Sequence, residues 1–122
     1  MFTDPISVTI ASVATSFPRV GTGNLSSVYR SADGMLTLDI GHQDLAKGTR
    51  ESTLVRLTRK AVGSDPLNSA LSKAYESRVH LVFNTPANGV GISDATVKAD
   101  IQALCAWIGT SGNLDKLLGK ES

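Results

Sequence analysis

A single cysteine, Cys105, is all the thiol chemistry this sequence offers. One thiol excludes an intrachain disulfide and any zinc site built from several thiolates. Its apolar neighbours point to a small buried hydrophobe rather than a reactive group. Aromatic residues are scarce at 5%, so a core has to rest mainly on Val, Ile, Leu and Ala. An excess of one charge is lacking too, with 12 Lys and Arg against 11 Asp and Glu. That balance excludes a globally basic nucleic-acid binder, but not a local patch. No apolar run approaches the roughly 20 residues that cross a bilayer. The opening Met1-Phe2-Thr3-Asp4-Pro5 lacks the basic segment and apolar run of a signal peptide. These absences lead us to expect a soluble chain made in a reducing compartment, with no membrane partner.

Signals for catalysis are equally thin. His42 and His80 are the only histidines, each with carboxylates nearby in sequence (Asp39 or Asp44, and Glu76). A metal needs three or four converging ligands, and strand alternation sends His42 inward and His80 outward. No serine, histidine and acid combination has local support. Gly89-Val90-Gly91 ahead of a helix has the look of a phosphate loop, but Asp94 stands where the third glycine belongs and no βαβ unit follows. It reads as a helix-entry linker. We therefore expect no catalytic residue, no metal, no cofactor and no small-molecule substrate.

What the sequence does hold is ordinary globular material: 122 residues, 41% hydrophobic and 19% charged, enough for one domain spanning 1–122. Its clearest pattern is alternation. Ile6, Val8 and Ile10 alternate with polar or small residues, as a half-buried strand does. Residues 16–26, rich in Gly, Ser, Pro and Asn, read as a loop or a loosely paired segment. Residues 27–30 give a short strand, and Ala32-Asp33-Gly34 a hairpin turn. In the strand over 35–43, Leu36, Leu38 and Ile40 point inward and Thr37, Asp39 and Gly41 outward. Lys47-Gly48 marks another turn before a strand over 53–61. The segment 62–74, with Gly63, Asp65, Pro66 and Asn68 and no strong period, is expected to be a long functional loop.

Two strands carry the functional argument. Over 75–83, Val79, Leu81 and Phe83 share one face and Glu76, Arg78 and His80 the other; over 53–61, Val55 and Leu57 oppose Arg56, Thr58 and Lys60. Neighbouring strands with one apolar and one basic, hydroxyl-bearing face suggest a sheet covered on one side only. On the bare side Arg56, Lys60 and Arg78 can meet phosphates, while Thr37, Asp39, Thr58 and His80 can hydrogen-bond sugar or base edges. The same residues also fit the plainer role of solvated strand faces.

The tail is helical. Ser93 is placed to cap and Asp94 to favour the positive helix end. Val97, Ile101, Leu104, Cys105 and Ile108 recur at helical spacing, flanked by Trp107, with Lys98 and Gln102 on the polar side. Gly109 and Gly112 end this helix. Asn113 is expected to cap a short second turn with Leu114, Leu117 and Leu118 buried and Gly119 as its stop. Strands first and helices last make an α+β chain with an antiparallel meander. The helices can cover one face and nothing remains to cover the other. One sheet and one long helix make a thin core, so a partner subunit sharing the helix–sheet interface is expected.

The chain resembles the coat proteins of the single-stranded RNA bacteriophages, the levivirus group. The likeness rests on Tyr29-Arg30-Ser31-Ala32-Asp33-Gly34, Leu36-Thr37-Leu38-Asp39-Ile40-Gly41-His42-Gln43 and Tyr75-Glu76-Ser77-Arg78-Val79-His80-Leu81. Trp107-Ile108-Gly109-Thr110-Ser111 and Leu117-Leu118-Gly119-Lys120-Glu121-Ser122 continue it, in the same order. The resemblance implies an N-terminal hairpin, a five-stranded antiparallel sheet and two C-terminal helices that clasp a sister subunit through Val97, Ile101, Leu104, Trp107 and Ile108. It implies a homodimer with a continuous sheet, built into a quasi-equivalent icosahedral shell assembled in the host cytoplasm, where the bare face meets single-stranded genomic RNA. In the family that face binds an RNA hairpin and represses replicase translation. Thr37 and Asp39, then Arg56, Thr58 and Lys60, then Arg78 and His80, match its RNA-facing strands, and Asp39 stands where small hydroxyls are usual. Gly63, Asp65, Pro66 and Asn68 match the loop that gathers at the symmetry axes. The rival is a cellular dimeric RNA-binding module that forms no particles.

Overall fold

The computed structural model describes residues 2–45, 50–86 and 91–121, in two compact units, Met1–Asn84 and Thr85–Ser122. The expected Lys47-Gly48 turn and most of the Asn88-Gly89-Val90-Gly91 linker lie outside the described residues. In the first unit, β1 (Ile6–Ile10) and β2 (Val13–Phe17) form an antiparallel hairpin. Five more strands follow in sequence order: β3 (Arg19–Gly23), β4 (Ser26–Arg30), β5 (Leu36–Leu45), β6 (Arg50–Asp65) and β7 (Asn68–Pro86). Consecutive strands are neighbours, so the sheet is a meander, and the expected α+β architecture stands.

Cross-strand register explains the two faces. Tyr29 of β4 pairs with Leu38 of β5, which pairs with Leu57 of β6; one step along, Ser27, Ile40 and Val55 form the parallel row. Directly opposed residues share a face, so these rows build one apolar surface. Phe17, Tyr29, Leu36, Leu38 and Ile40 are buried there, with Ile6, Val8, Ile10, Val55 and Leu57 packed against them. Thus the β1–β2 hairpin supplies cover for the apolar face, a role the sequence reading left entirely to helices. Phe17 is wholly buried, worth about 3 kcal/mol for an aromatic side chain. Tyr29 is held by its hydroxyl, which accepts from Arg19 Nη2 at 2.9 Å. The same guanidinium donates to the Phe2 carbonyl at 3.2 Å, and the Arg19 N–H donates to Asp4 Oδ1 at 2.9 Å. The start of the chain is thereby tied to the sheet.

Two turns show what local chemistry does. Ala11 and Ser12 join β1 to β2 with φ of 49° and 65°, a pair of left-handed residues where Asn-Gly is favoured. Changing Ala11→Asn with Ser12→Gly should therefore stabilise the chain by about 1 kcal/mol. Urea titration checks it: the midpoint should rise at unchanged slope. Between β4 and β5, the Ser31 hydroxyl donates to Asp33 Oδ1 at 2.6 Å and the Met35 N–H donates to the same oxygen at 3.0 Å. Those two bonds hold the Asp33 carboxyl below its ordinary pKa, and Gly34 provides the positive φ of 72° that closes the turn.

Three expectations need correction in this unit. The segment 62–74 is not a loop: β6 runs to Asp65, Pro66-Leu67 turn, and β7 starts at Asn68. Gly63 and Asn68 are therefore strand residues, Asp65 ends a strand, and only Pro66 is in the turn. These residues are exposed on both sides, so alternation gave no signal; backbone pairing makes the strand instead. Gly63 has a packing reason, since a Cβ there would meet the Tyr75 ring at 3.4 Å. The Tyr75 hydroxyl donates to the Ser64 carbonyl at 3.2 Å. Likewise residues 16–26 hold the end of β2 and all of β3, with an irregularity between Arg19 and Gly21. Their glycines are edge-strand residues beside a bulge rather than loop residues.

In the second unit, α1 spans Asp94–Gly109 and α2 spans Asn113–Leu118. Ser93 caps α1 as expected, its Oγ accepting the Thr96 N–H at 3.3 Å. Asn113 does not cap α2. Gly112 does, at φ 88°, while Asn113 Nδ2 donates back to the Trp107 carbonyl at 2.9 Å. The stop lies one residue later than expected: Lys120, not Gly119, takes the positive φ of 67°. The Glu121 N–H reaches the Lys116 carbonyl and the Lys120 N–H the Leu117 carbonyl, the paired bonds of a Schellman ending. Cys105, Leu114, Leu117 and Leu118 were expected inside and are exposed; no residue of either helix is buried. An amphipathic stripe needs an apolar surface to meet, and the single chain leaves this one open.

Candidate nucleic-acid interface

The other face of the sheet collects the polar side chains. Thr37 pairs with Thr58 and Asp39 with Arg56 across β5 and β6, and Arg30 of β4 pairs with Thr37. Opposed residues lie about 5 Å apart at Cβ, so Arg30, Thr37 and Thr58 form one row and Val28, Asp39 and Arg56 the next. Alternation puts Lys60 on the same side, where its N–H also bonds the Met35 carbonyl at 2.8 Å. Thr58 is buried at the centre of this face. Arg59, by contrast, opposes Leu36 and belongs to the apolar side. Arg50 shares the polar side, but six residues from Arg56 places it roughly 20 Å away along the strand.

β7 brings Glu76, Arg78 and His80 by the same alternation. Arg78 Nε donates to Glu76 Oε1, and that bond is the main reason the Glu76 carboxyl titrates below its ordinary range. The charges of Lys60 and Arg56 push it the same way. Coulomb effects of that size require short range, so the β7 row sits within reach of the β6 cations. The sheet thus gathers Thr37, Asp39, Arg56, Thr58, Lys60, Arg78 and His80 on a single side. Dimer-stripe residues Val97, Ile101, Leu104, Trp107 and Ile108 all lie on α1, in the other unit.

Electrostatically the patch is more restrained than its arginines suggest. Arg56 donates from Nε at 3.0 Å and Nη2 at 2.9 Å to Asp39 Oδ2, and Arg78 is engaged by Glu76. Four cations (Arg30, Arg56, Lys60, Arg78) face two carboxylates (Asp39, Glu76), an excess of two positive charges. Among the described residues Arg30 and Lys60 have no carboxylate within 4.0 Å. Arg30 was missed in the sequence. Only the β4–β5 register gives it away, because its own strand is too short for alternation to fix a face. His42, expected inward, is on the apolar side yet exposed, with Nδ1 at 3.1 Å from Thr53 Oγ1.

This arrangement can bind an extended polyanion: a flat sheet, spaced cations, hydroxyls between them, and no enclosing walls. It cannot hold a metal, since among the described residues no three His, Cys, Asp or Glu side chains cluster for one. Also among them, no helix is long and apolar enough to cross a membrane.

No protein-family model matches the sequence, and no curated protein matches it. Solved structures do. The chain is similar to the virus-like particle of bacteriophage AVE019 at a TM-score of 0.81, with 12% identity over 96% of this chain and 94% of that one. It is similar to the virus-like particle of Beihai levi-like virus 21 at a TM-score of 0.70, with 10% identity over 98% and 94%. The capsid protein of bacteriophage GA gives 0.62 at 6% identity over 92% and 88%. At such identities the likeness is one of fold: hairpin, five-stranded antiparallel sheet and two C-terminal helices are the RNA-phage coat-protein architecture.

Proposed function

We propose that this chain is a virion coat protein that assembles as homodimers into an icosahedral shell and holds single-stranded genomic RNA on its polar sheet face. It is a structural protein and not an enzyme. The observation that carries the reading is the sidedness of the sheet: hairpin and core residues on one face, Arg30, Arg56, Lys60 and Arg78 with Thr37 and Thr58 on the other.

Dimerisation follows from what the single chain leaves open. Val79 is 65% exposed, and Leu104 and Trp107 of α1 are 52% and 53% exposed. The α1 stripe of one copy laid over the apolar side of β7 in the next would cover both. β7 is last in the strand order, so pairing with its counterpart in a second copy continues the sheet. The β6–β7 end, with Gly63, Asp65, Pro66 and Asn68 and with Leu67 97% exposed at its tip, is then the inter-dimer contact. Asp39, Thr37, Thr58 and His80 add base and sugar hydrogen bonds to the phosphate contacts, which is the chemistry an operator hairpin and translational repression require.

Electron microscopy of the protein overproduced in bacteria tests this. Closed shells with nucleic-acid absorbance are expected. Dimers that bind RNA without ever forming particles would favour a cellular RNA-binding module. A folded monomer indifferent to RNA would reject both.

A further inference from the structure

We propose that the RNA face carries its own counter-ions, with Asp39 and Glu76 occupying Arg56 and Arg78 so that non-specific phosphate binding is held down. The inference rests on the RNA-binding role given above. Each carboxylate engages a cation of the same face: Asp39 through both Nε and Nη2 of Arg56, Glu76 through Nε of Arg78. Both pairs are part-exposed, with side-chain exposures of 32% and 20% for Arg56 and Asp39, and 55% and 36% for Arg78 and Glu76. Exposed pairs add little to folding stability. Solvent access also means that a phosphate can reach either arginine.

The consequence is a graded surface. Arg30 and Lys60 make the standing phosphate contacts. Arg56 and Arg78 join only when the incoming strand takes the place of a carboxylate. A strand that offers phosphates alone gains little from that exchange, because one anion replaces another. A strand that also bonds Thr37, Thr58 or His80 gains those contacts in addition. Selectivity rises because the background affinity is low.

Fluorescence anisotropy of full-length dimers with a fluorescein-labelled oligouridylate of about twenty nucleotides reads this through the salt dependence. Single strands contribute a slope of about 0.7 per phosphate contact. Asp39→Asn with Glu76→Gln should steepen the slope by about 1.4, and tighten binding about tenfold near physiological salt. Glu76→Gln alone, on the more exposed pair, should give about half the slope change and guards against any folding defect of the double variant. Asp115→Asn, on α2, removes a charge elsewhere and should change neither quantity. Unchanged slope and affinity in both Glu76 variants overturn the inference. So does an equal gain in Asp115→Asn, which would make net charge the cause. If wild-type dimers fail to bind the oligomer even at low salt, the RNA-binding role itself falls instead.

Discussion

Replacing Ile101 with Asp should leave α1 helical and abolish the soluble dimer. Ile101 sits mid-helix on the stripe with Val97, Leu104 and Ile108, and is half-buried already. Asp and Ile differ little in helix propensity, so the helix itself survives. In a two-fold interface the substitution enters twice. Placing unpaired carboxylates against apolar surface costs about 4 kcal/mol or more, at least a thousandfold in the association constant. Light scattering should find no dimer and microscopy no shells. Gln102→Asp, on the polar side of the same helix, should keep both. Wild-type assembly by the Ile101 variant would remove α1 from the interface.

Reversing Arg30→Glu together with Lys60→Glu should eliminate RNA from the particles while sparing the dimer. Both side chains are exposed and neither has a carboxylate partner among the described residues. The change takes the face from an excess of two positive charges to an excess of two negative ones. Four units at a slope of about 0.7 each correspond to roughly two-hundredfold weaker binding at physiological salt. Nucleic-acid absorbance of purified shells, and anisotropy of the dimers, should both collapse. Arg59→Glu is the matched control, because Arg59 pairs with Leu36 on the opposite side. Equal losses from Arg59→Glu would mean the protein responds to its total charge rather than to one surface.

The parts legible in the sequence were those where burial and periodicity coincide. Leu36, Leu38 and Ile40 alternate with Thr37 and Asp39, and their burial alternates identically; the same logic placed Arg56, Thr58 and Lys60 together. Ser93 announced α1 because a cap is a local bond. Where structure comes from pairing instead, the sequence was mute. Residues 62–65 and 68–74 are strand because a neighbour's backbone meets theirs. The Ala11-Ser12 turn carries neither Asn nor Gly, so nothing flagged the hairpin that covers the core. Arg30 required the register of another strand, and the ion pairs on the polar face required two. Leu114, Leu117 and Leu118 were misplaced for a different reason: amphipathic spacing says that a surface will be covered, not by which molecule.

β7 ends the strand order and is 19 residues long, so one flank of a lengthy ribbon has no neighbour in its own chain. Such a margin invites any extended peptide, including newly made copies that have not finished folding. Lys73, Glu76 and Arg78 dot it with charge and Pro86 closes it, which discourages casual recruits while tolerating a mate that presents matching groups in reverse order. Quality control against aggregation and choice of the correct sibling would then be written along the same ribbon.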